Sequence, residues 1–321
     1  MKQLSPAAIN SQFATDVSTG LQANPKYLKS KYFYDEKGDE LFQKIMDLPE
    51  YYLTKCELEI LEEHKDHILK ILNPDQHFHF LDLGAGDAAK SKILLKYFLD
   101  RKVDFTYCPV DISSHAITKV TDKLEKELPS LAIKGISKEY LHAMEEFPAS
   151  SPKVIFFLGS SIGNFSQEDS QQFLQEISLR MNKDDFFIIG FDLKKDPGLI
   201  LDAYNDRAGV TRLFNLNLLV RINRELEGNL DVESYKHDPY YDEKSGEAIS
   251  RLVSTRNQLI EISSIDLRVK IKKGESIHTE ISRKYDLKQI ESLAAASGFV
   301  VVENLMDSRR YFTDSVWKKI K

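Results

Sequence analysis

Apolar runs alternate with helix-length segments over residues 77–192. The runs include FHFLDL, DFTYCPVDI, KVIFFL and FFIIGFDL, and the segments 113–128 and 166–181 repeat apolar residues at helical spacing. Continuous apolar strands that alternate with helices are typical of a parallel sheet covered by helices on both faces. The pattern therefore predicts a Rossmann-like, doubly wound α/β domain.

The pattern changes in the last third of the chain. Residues 196–223 have helical periodicity, whereas residues 230–282 contain short β-like stretches separated by polar turns such as DEKSGE and KKGE. A helix and two strands then follow, and these could return to the first sheet. The β-rich region is thus predicted to be an inserted, mostly antiparallel α+β domain. The predicted domains are 60–195 plus 283–321, and 12–59 plus 196–282.

Composition narrows the class of protein. Of the 321 residues, 42% are hydrophobic and 29% are charged, and the net charge is −6, which predicts a soluble globular protein without the basic surface that nucleic acid requires. The two cysteines, Cys56 and Cys108, lie outside any CxxC spacing, so a disulfide scaffold or a thiolate zinc site is not expected. Without an apolar leader or membrane span, we expect a cytoplasmic monomer.

The first predicted strand runs into a glycine-rich turn, Gly84-Ala-Gly86-Asp-Ala-Ala. Glycines there allow a tight turn and a close approach of the backbone to a ligand. Asp111 ends the next strand, where its carboxylate can accept hydrogen bonds from ribose hydroxyls. This pattern fits a nicotinamide site or an S-adenosylmethionine site. It also fits a turn with only a structural role, followed by a solvated strand-end aspartate.

The segment FFLGSSIGNF follows the strand that begins at Val154 and predicts the position of a second ligand. It places Gly159, Ser160 and Asn164 at the end of that strand, where the substrate of an open α/β sheet meets the cofactor. Asn164 could instead cap the next helix or occupy a left-handed turn. A group of aromatic residues could surround a cationic centre, although core packing is their commoner role. Its members are Tyr32, Phe33, Tyr34, Tyr51 and Tyr52.

The remaining polar patterns are weaker. The pairs His64/His67 and His77/His79 have helical and strand spacing, but neither comes with a further metal ligand, so we expect no metal site. Glu280-Ile-Ser282 places a carboxylate and a hydroxyl on one strand face, where they could hold an imidazolium or another polar cation. Surface Glu and Ser residues are common, so this pattern alone indicates little.

The segment YFYDEKGDELFQKIMDLPEYYLTKCELEIL resembles the S-adenosylmethionine-dependent, histidine-specific Nα-methyltransferases of ergothioneine biosynthesis. Similar stretches follow in the family's order and cover nearly the whole chain. They are LDLGAGDAAKSKILL, FFLGSSIGNF, FDLKKDPGLILDAYNDRAGVTRLFNLNLLVRINREL and HTEISRKY. The resemblance implies a class I methyltransferase fold and S-adenosylmethionine as the cofactor.

The resemblance also implies roles for individual residues. The cofactor would lie over Gly84, Gly86, Lys90 and Asp111, with Tyr34, Gly159 and Ser160 beside its methionine end. A small amino acid would sit between the domains as the substrate. Asn164 and Tyr204 would hold its carboxylate, and Gly159, Tyr34 and Tyr51 would face its amine. Glu280 and Ser282 would bind its imidazole. Tyr34 and Tyr51 are the expected catalytic pair, which would orient the amine and relay its proton to solvent.

The chain departs from the family pattern at two places. Residues 135–139, Gly-Ile-Ser-Lys-Glu, replace an Asp-Phe pair that usually contacts adenine, and Ser250 stands where the family usually has Met in the substrate pocket. The Ser250 difference leaves open a family member that acts on another amino acid or biogenic amine. The fold would also serve a nicotinamide-dependent oxidoreductase or a non-catalytic binding protein.

Overall fold

The computed structural model describes residues 11–148 and 151–320, which form two compact units. One unit extends to Tyr52 and includes Lys195–Arg283, and we call it the insertion unit; the other, the sheet unit, comprises Leu53–Lys194 and the chain from Lys284 onward. The α-helices are α1 (Ser11–Gln22), α2 (Glu36–Asp47), α3 (Tyr52–Leu72), α4 (Ser91–Asp100), α5 (Ser114–Glu127), α6 (Tyr140–Met144), α7 (Gln167–Arg180), α8 (Pro197–Tyr204), α9 (Val210–Leu226) and α10 (Leu287–Ala296). The strands are β1 (Lys26–Tyr27), β2 (Phe78–Leu83), β3 (Phe105–Asp111), β4 (Ile136–Ser137), β5 (Lys153–Phe157), β6 (Phe186–Asp192), β7 (Tyr235–His237), β8 (Tyr240–Asp242), β9 (Glu247–Ser254), β10 (Gln258–Ile262), β11 (Leu267–Ile271), β12 (Ser276–Arg283), β13 (Phe299–Met306) and β14 (Phe312–Lys319).

The sheet unit is built on seven strands in the order β13-β14-β6-β5-β2-β3-β4. Strands β4, β3, β2, β5 and β6 are parallel, and β14 runs antiparallel to both β6 and β13. Every residue of β5 and β6 is buried, which explains their uninterrupted apolar sequence. The predicted Rossmann-like fold is confirmed, and the last two strands return to this sheet as expected.

Side-chain caps define where the helices after these strands begin. The Ser113 hydroxyl accepts from the Ala116 N–H at 3.2 Å at the start of α5, and the Ser166 hydroxyl accepts from the Asp169 N–H at 3.0 Å at the start of α7. Both helices end within a residue of the predicted bounds. Because β2, β3 and β5 are parallel, their carboxyl ends all lie at one edge of the sheet, where each strand leads into a loop.

The insertion unit contains a five-stranded sheet, in which β1, β12, β9 and β7 are consecutive neighbours and β8 also pairs with β9. Strands β10 and β11 form a separate antiparallel hairpin. The apolar side of α9 packs in a core with Phe33, Leu252 and Ile277. The β9–β12 pair is antiparallel, and its register shifts between His278 and Glu280. The predicted mostly antiparallel α+β insertion is therefore confirmed. In the described part of the chain, no helix is both long and apolar enough to cross a membrane.

His237 of β7 makes the insertion unit sensitive to acid. The side chain is buried and its Nε2 atom has no hydrogen-bond partner among the described residues. Burial lowers the pKa of His237 to about 4, although Asp206 and Asp238 partly oppose the shift. The unfolded chain therefore takes up this proton first, and the stabilisation present above pH 6.5 is lost as the pH falls towards 4.

We expect His237→Gln to reduce the loss of stability between pH 7.5 and 4.5. One pKa unit corresponds to about 1.4 kcal/mol, so the free energy of unfolding of the wild-type protein should fall by about 2 to 3 kcal/mol more than that of the variant. Urea titrations at the two pH values measure this difference. Substitution of the exposed His115 by Gln is the control, and equal acid losses in the wild type and His237→Gln would refute the prediction.

Candidate functional site

The glycine-rich turn after β2 leaves room for a ligand. Gly84 and Gly86 have φ values of 76° and 55°, the left-handed region that glycine adopts without a steric penalty. A Cβ atom added to Gly86 would meet no atom within 4 Å, and one added to Gly84 would approach the Tyr140 hydroxyl at 2.9 Å. The backbone here forms an open cradle, which fits a nucleotide-type cofactor that approaches closely.

Two aspartates lie next to this turn, at the ends of neighbouring strands. Asp82 is buried at the end of β2 and accepts from the Tyr107 hydroxyl at 2.7 Å and from Ser91. Asp111 ends β3, is half-buried, and accepts from the Ser113 N–H at 2.8 Å. Burial raises the pKa of Asp111 above its ordinary value. Its position beside the cradle is suited to a ligand's hydroxyl donors.

The buried carboxylate of Glu57 connects Lys90 to the backbone that follows β5. The ammonium group of Lys90 pairs with Glu57 of α3, which is completely buried. The same carboxylate accepts from the Gly159 N–H through Oε1 at 2.7 Å and Oε2 at 3.0 Å. A Cβ atom on Gly159 would lie 3.3 Å from the Lys90 ammonium nitrogen. The structure thus brings two predicted cofactor residues together around Glu57, which no sequence motif had indicated.

The segment after Gly159 turns sharply. Gly159 and Ser160 both have left-handed backbones, with φ values of 77° and 56°, and the Ser160 hydroxyl accepts from the Asp192 N–H at 3.0 Å. Asn164 ends a short 3₁₀ helix, and its side chain is exposed. Because Ser166 caps α7 and Asn164 has no positive φ, Asn164 is neither a helix cap nor a left-handed turn residue.

The aromatic residues of the insertion unit divide into two groups. Tyr34 and Tyr51 both pack edge-on against Phe42, with ring centroids 5.5 and 6.3 Å away, and Tyr34 is 43% exposed. Their two rings form an aromatic surface around Phe42 that can face a cation. In contrast, Tyr32, Phe33 and Tyr52 are buried, in agreement with the commoner role of core packing.

The chain next to Tyr34 is anchored by Asp35. Its carboxylate accepts from the Gly38 N–H at 2.8 Å, which caps α2, and from the Asn217 side chain at 2.7 Å. Arg224 donates to the second oxygen at 2.6 Å. These bonds and the charge of Arg224 keep the pKa of Asp35 below its ordinary value although burial opposes the shift. The anchor connects the start of α2 to α9 and restricts the backbone beside the Tyr34 ring.

Four predicted substrate residues lie together in the insertion unit. Glu280 is half-buried on β12 and lies directly opposite Ser250 of β9, so the two side chains share one sheet face with Ser282. The Tyr204 hydroxyl donates to the Ser282 hydroxyl at 2.7 Å. The Ser250 hydroxyl is buried and has no hydrogen-bond partner in the described part of the chain. The arrangement offers a carboxylate beside three hydroxyl groups, which suits a polar, hydrogen-bond-donating ligand.

The histidine pairs have separate structural partners. His64 lies against the Met306 carbonyl, His67 against Glu303 and His77 against Asp104. No cluster of histidine, cysteine, aspartate or glutamate suitable for a metal ion occurs within residues 11–148 and 151–320. Cys56 and Cys108 are buried, unpaired thiols.

Comparisons with known proteins show extensive similarity to methyltransferases. The profile of a family described as histidine-specific, SAM-dependent methyltransferases matches residues 13–319. The histidine N-alpha-methyltransferase of Mycobacterium tuberculosis is 32% identical, over 88% of this chain and 87% of that protein. Ergothioneine biosynthesis protein 1 of Schizosaccharomyces pombe is 32% identical, over 68% of this chain and 30% of that protein. The 4-dimethylallyltryptophan N-methyltransferase of Claviceps fusiformis is 25% identical, over 84% of this chain and 81% of that protein.

Proposed function

Because the chain belongs to the family of histidine-specific, S-adenosylmethionine-dependent methyltransferases, we propose that it methylates the α-amino group of L-histidine. The match over residues 13–319 is the observation that carries this proposal. We further propose that three methyl groups are added, which gives the trimethylated betaine that precedes ergothioneine. The enzyme would act as a cytoplasmic monomer without a metal ion.

The sheet unit would hold the methyl donor. The open backbone at Gly86 and the carboxylate of Asp111 fit the nucleoside part, and the Lys90–Gly159–Ser160 group fits the charged methionine end. S-adenosylmethionine supplies an electrophilic methyl group on a sulfonium. Family membership favours this cofactor over the nicotinamide that the glycine turn alone also allowed.

The insertion unit would recognise the histidine side chain. The carboxylate of Glu280 can accept from an imidazole N–H, and Ser282 can bond to the same ring. The Tyr204 hydroxyl bonds to the Ser282 hydroxyl in this structure, so a substrate carboxylate that accepts from Tyr204 requires Ser282 to become the donor in that bond. Binding of the carboxylate by Tyr204 and Asn164 would therefore be coupled to binding of the imidazole through Ser282.

Methyl transfer needs a neutral amine whose lone pair is directed at the methyl group. Tyr34 and Tyr51 pack on Phe42, and we propose that their hydroxyl groups orient the amine and pass its proton to solvent. Their rings would tolerate the positive charge that the product acquires. Holding the reactants near contact can provide about 7 to 11 kcal/mol of the acceleration, so no strong base is required.

We expect Tyr51→Phe to lower kcat by about 10²-fold, the lower end of what a positioned proton-transfer group contributes. The affinity for S-adenosylhomocysteine should stay the same because the phenyl ring keeps its packing on Phe42. Steady-state kinetics and calorimetry measure the two quantities. Tyr97→Phe, which removes a hydroxyl that contacts Asp66 on the surface, serves as the control. An unchanged kcat in Tyr51→Phe would remove Tyr51 from this role.

Binding experiments test the proposed substrate directly. In calorimetry with S-adenosylhomocysteine present, histidine should bind, and histamine, which lacks the carboxylate, should bind roughly 5- to 150-fold more weakly because a polar contact is unmade. Equal binding of the two ligands would exclude the proposed carboxylate site.

A different amine is the second candidate substrate. The Ser250 hydroxyl is buried and unpartnered, within the described residues, on the same sheet face as Glu280, so the pocket has a polar position where the family usually has Met. A substrate whose side chain bonds to this hydroxyl would satisfy it. If this second candidate is correct, mass spectrometry will find the methylated product with another amino acid or biogenic amine and not with histidine.

A further inference from the structure

Glu57 and Asp314 form a buried carboxyl pair in the sheet unit, outside the residues assigned to ligands. Glu57 lies on α3 and Asp314 in the middle of β14, and both are completely buried. Both Asp314 oxygens lack an N–H or O–H donor within residues 11–148 and 151–320. Asp314 lies directly opposite Gly190 of β6, and a Cβ atom added to Gly190 would meet the Glu57 carboxylate, so the two acidic groups are neighbours. Two adjacent buried carboxylates repel each other, so one of them must carry a proton.

The proton belongs on Asp314. Glu57 already accepts from the Gly159 N–H with both oxygens and pairs with the Lys90 ammonium group, whereas neither Asp314 oxygen receives a donor from the described residues. Burial, and then the charge of Glu57, raises the pKa of Asp314 well above its ordinary value. Neutral Asp314 can therefore donate its hydroxyl proton to Glu57. The pair has one negative charge, and Lys90 balances it.

Glu57 supports a backbone conformation that is otherwise unfavourable. Gly159 and Ser160 are consecutive left-handed residues, and serine rarely adopts this conformation without support from its surroundings. Glu57 binds the N–H of the first residue, and the Asp192 N–H binds the hydroxyl of the second. Asp192 is in turn fixed by a buried ion pair with Lys284 at 2.8 Å. The turn is thus held on both sides.

We propose that Glu57 is a positioning residue for methyl transfer, which holds the Gly159 amide and the Lys90 ammonium group in one geometry. The inference rests on the proposed function, in which Gly159, Ser160 and Lys90 contact the methionine end of the methyl donor and Gly159 also faces the amine. Glu57 is fully buried and acts only through these residues. A displacement of about 1 Å at such a position can cost about 10²-fold in rate.

Two substitutions at Glu57 test this role. Glu57→Gln keeps an oxygen for the Gly159 N–H but loses the charge that holds Lys90, so we expect kcat to fall about tenfold. Glu57→Ala loses both partners, and we expect a fall of about 10²-fold. The dissociation constant of S-adenosylhomocysteine should rise less than threefold in Glu57→Gln, because the other ligand contacts remain. This split between kcat and affinity is the readout that a purely structural residue would not produce.

Asp185→Asn is the matched control. Asp185 forms an equally buried ion pair with Lys153, at 3.1 Å, at the opposite edge of the same sheet. The Asp185→Asn variant should have a lower Tm than the wild type and an unchanged kcat at temperatures below its unfolding transition. If kcat of Glu57→Gln falls no further than that of Asp185→Asn, or if affinity and kcat fall by the same factor, Glu57 is not a positioning residue.

The wild-type assay separates this inference from the proposed function. If the wild-type protein methylates no amine, the proposed function is wrong and this inference fails with it. If the wild-type protein is active and the Glu57 variants match the control, only this inference fails. Should Glu57→Ala not fold, Glu57→Gln decides the question, since it preserves the shape of the side chain and an acceptor for Gly159.

Discussion

Replacement of Glu280 by alanine is expected to weaken the use of histidine while the protein still binds S-adenosylhomocysteine. Glu280 is the carboxylate on the sheet face that also carries Ser250 and Ser282, and it is the proposed acceptor for the imidazole N–H. An unmade buried polar contact costs about 1 to 3 kcal/mol, which corresponds to a rise in KM for histidine of roughly 5- to 150-fold. Steady-state kinetics with histidine and calorimetry with S-adenosylhomocysteine measure the two effects.

A second glutamate of the insertion unit provides the control for Glu280. Glu261 lies on the β10–β11 hairpin and pairs with Arg268 at the surface. Glu261→Ala should therefore change neither the KM for histidine nor the affinity for S-adenosylhomocysteine. Glu280→Gln should show an intermediate effect, because its amide oxygen still accepts from the imidazole without the charge. If histidine kinetics in Glu280→Ala equal those of the wild type, Glu280 does not select the substrate.

Replacement of Asp111 by alanine is expected to weaken binding of the cofactor and to leave the KM for histidine nearly unchanged. The half-buried carboxylate at the end of β3 is the proposed acceptor for the two ribose hydroxyls of the cofactor. Hydrogen bonds to a charged group contribute about 1.5 to 3 kcal/mol, so the dissociation constant of S-adenosylhomocysteine should rise roughly 10- to 150-fold. The KM for histidine, measured at saturating S-adenosylmethionine, should stay within about twofold because Glu280 and Ser282 are unchanged.

Asp104 provides the matched control for Asp111. It immediately precedes β3 at the other end of the strand, and its carboxylate contacts His77 on the surface. Asp104→Ala should leave the affinity for S-adenosylhomocysteine unchanged. If Asp111→Ala binds S-adenosylhomocysteine as tightly as Asp104→Ala does, the ribose assignment is wrong. Together, the Glu280 and Asp111 variants distinguish loss of the substrate from loss of the cofactor.

The fold of the sheet unit could be predicted because its signal is local. Strands such as β5 and β6 are buried along their whole length and so read as continuous apolar runs, and helices such as α7 begin at a serine cap. The family predicted from the ordered motifs is confirmed by the match over residues 13–319. The roles of individual site residues remain predictions, which the Tyr51, Glu280 and Asp111 variants test.

The sequence could not predict the contacts that depend on distant residues. The neighbours of β14 are β6 and β13, and that order is set by the packing of the whole sheet. The register shift between His278 and Glu280 decides which residue lies opposite Ser250, and the strand pattern alone does not show a bulge. Glu57 and Asp314 come from a helix and a strand at opposite ends of the sheet unit's sequence, so no spacing rule connects them.

Mass spectrometry of the purified protein with S-adenosylmethionine and a panel of amino acids and their amines tests the central claim most directly. Products that carry one, two and three additional methyl groups are followed over time for each amine. The account predicts methyl addition to histidine, ending at the trimethylated product, with no comparable product from the other amines. Methylation of another amine without methylation of histidine would contradict the proposed substrate, and the absence of any product would contradict the proposed activity.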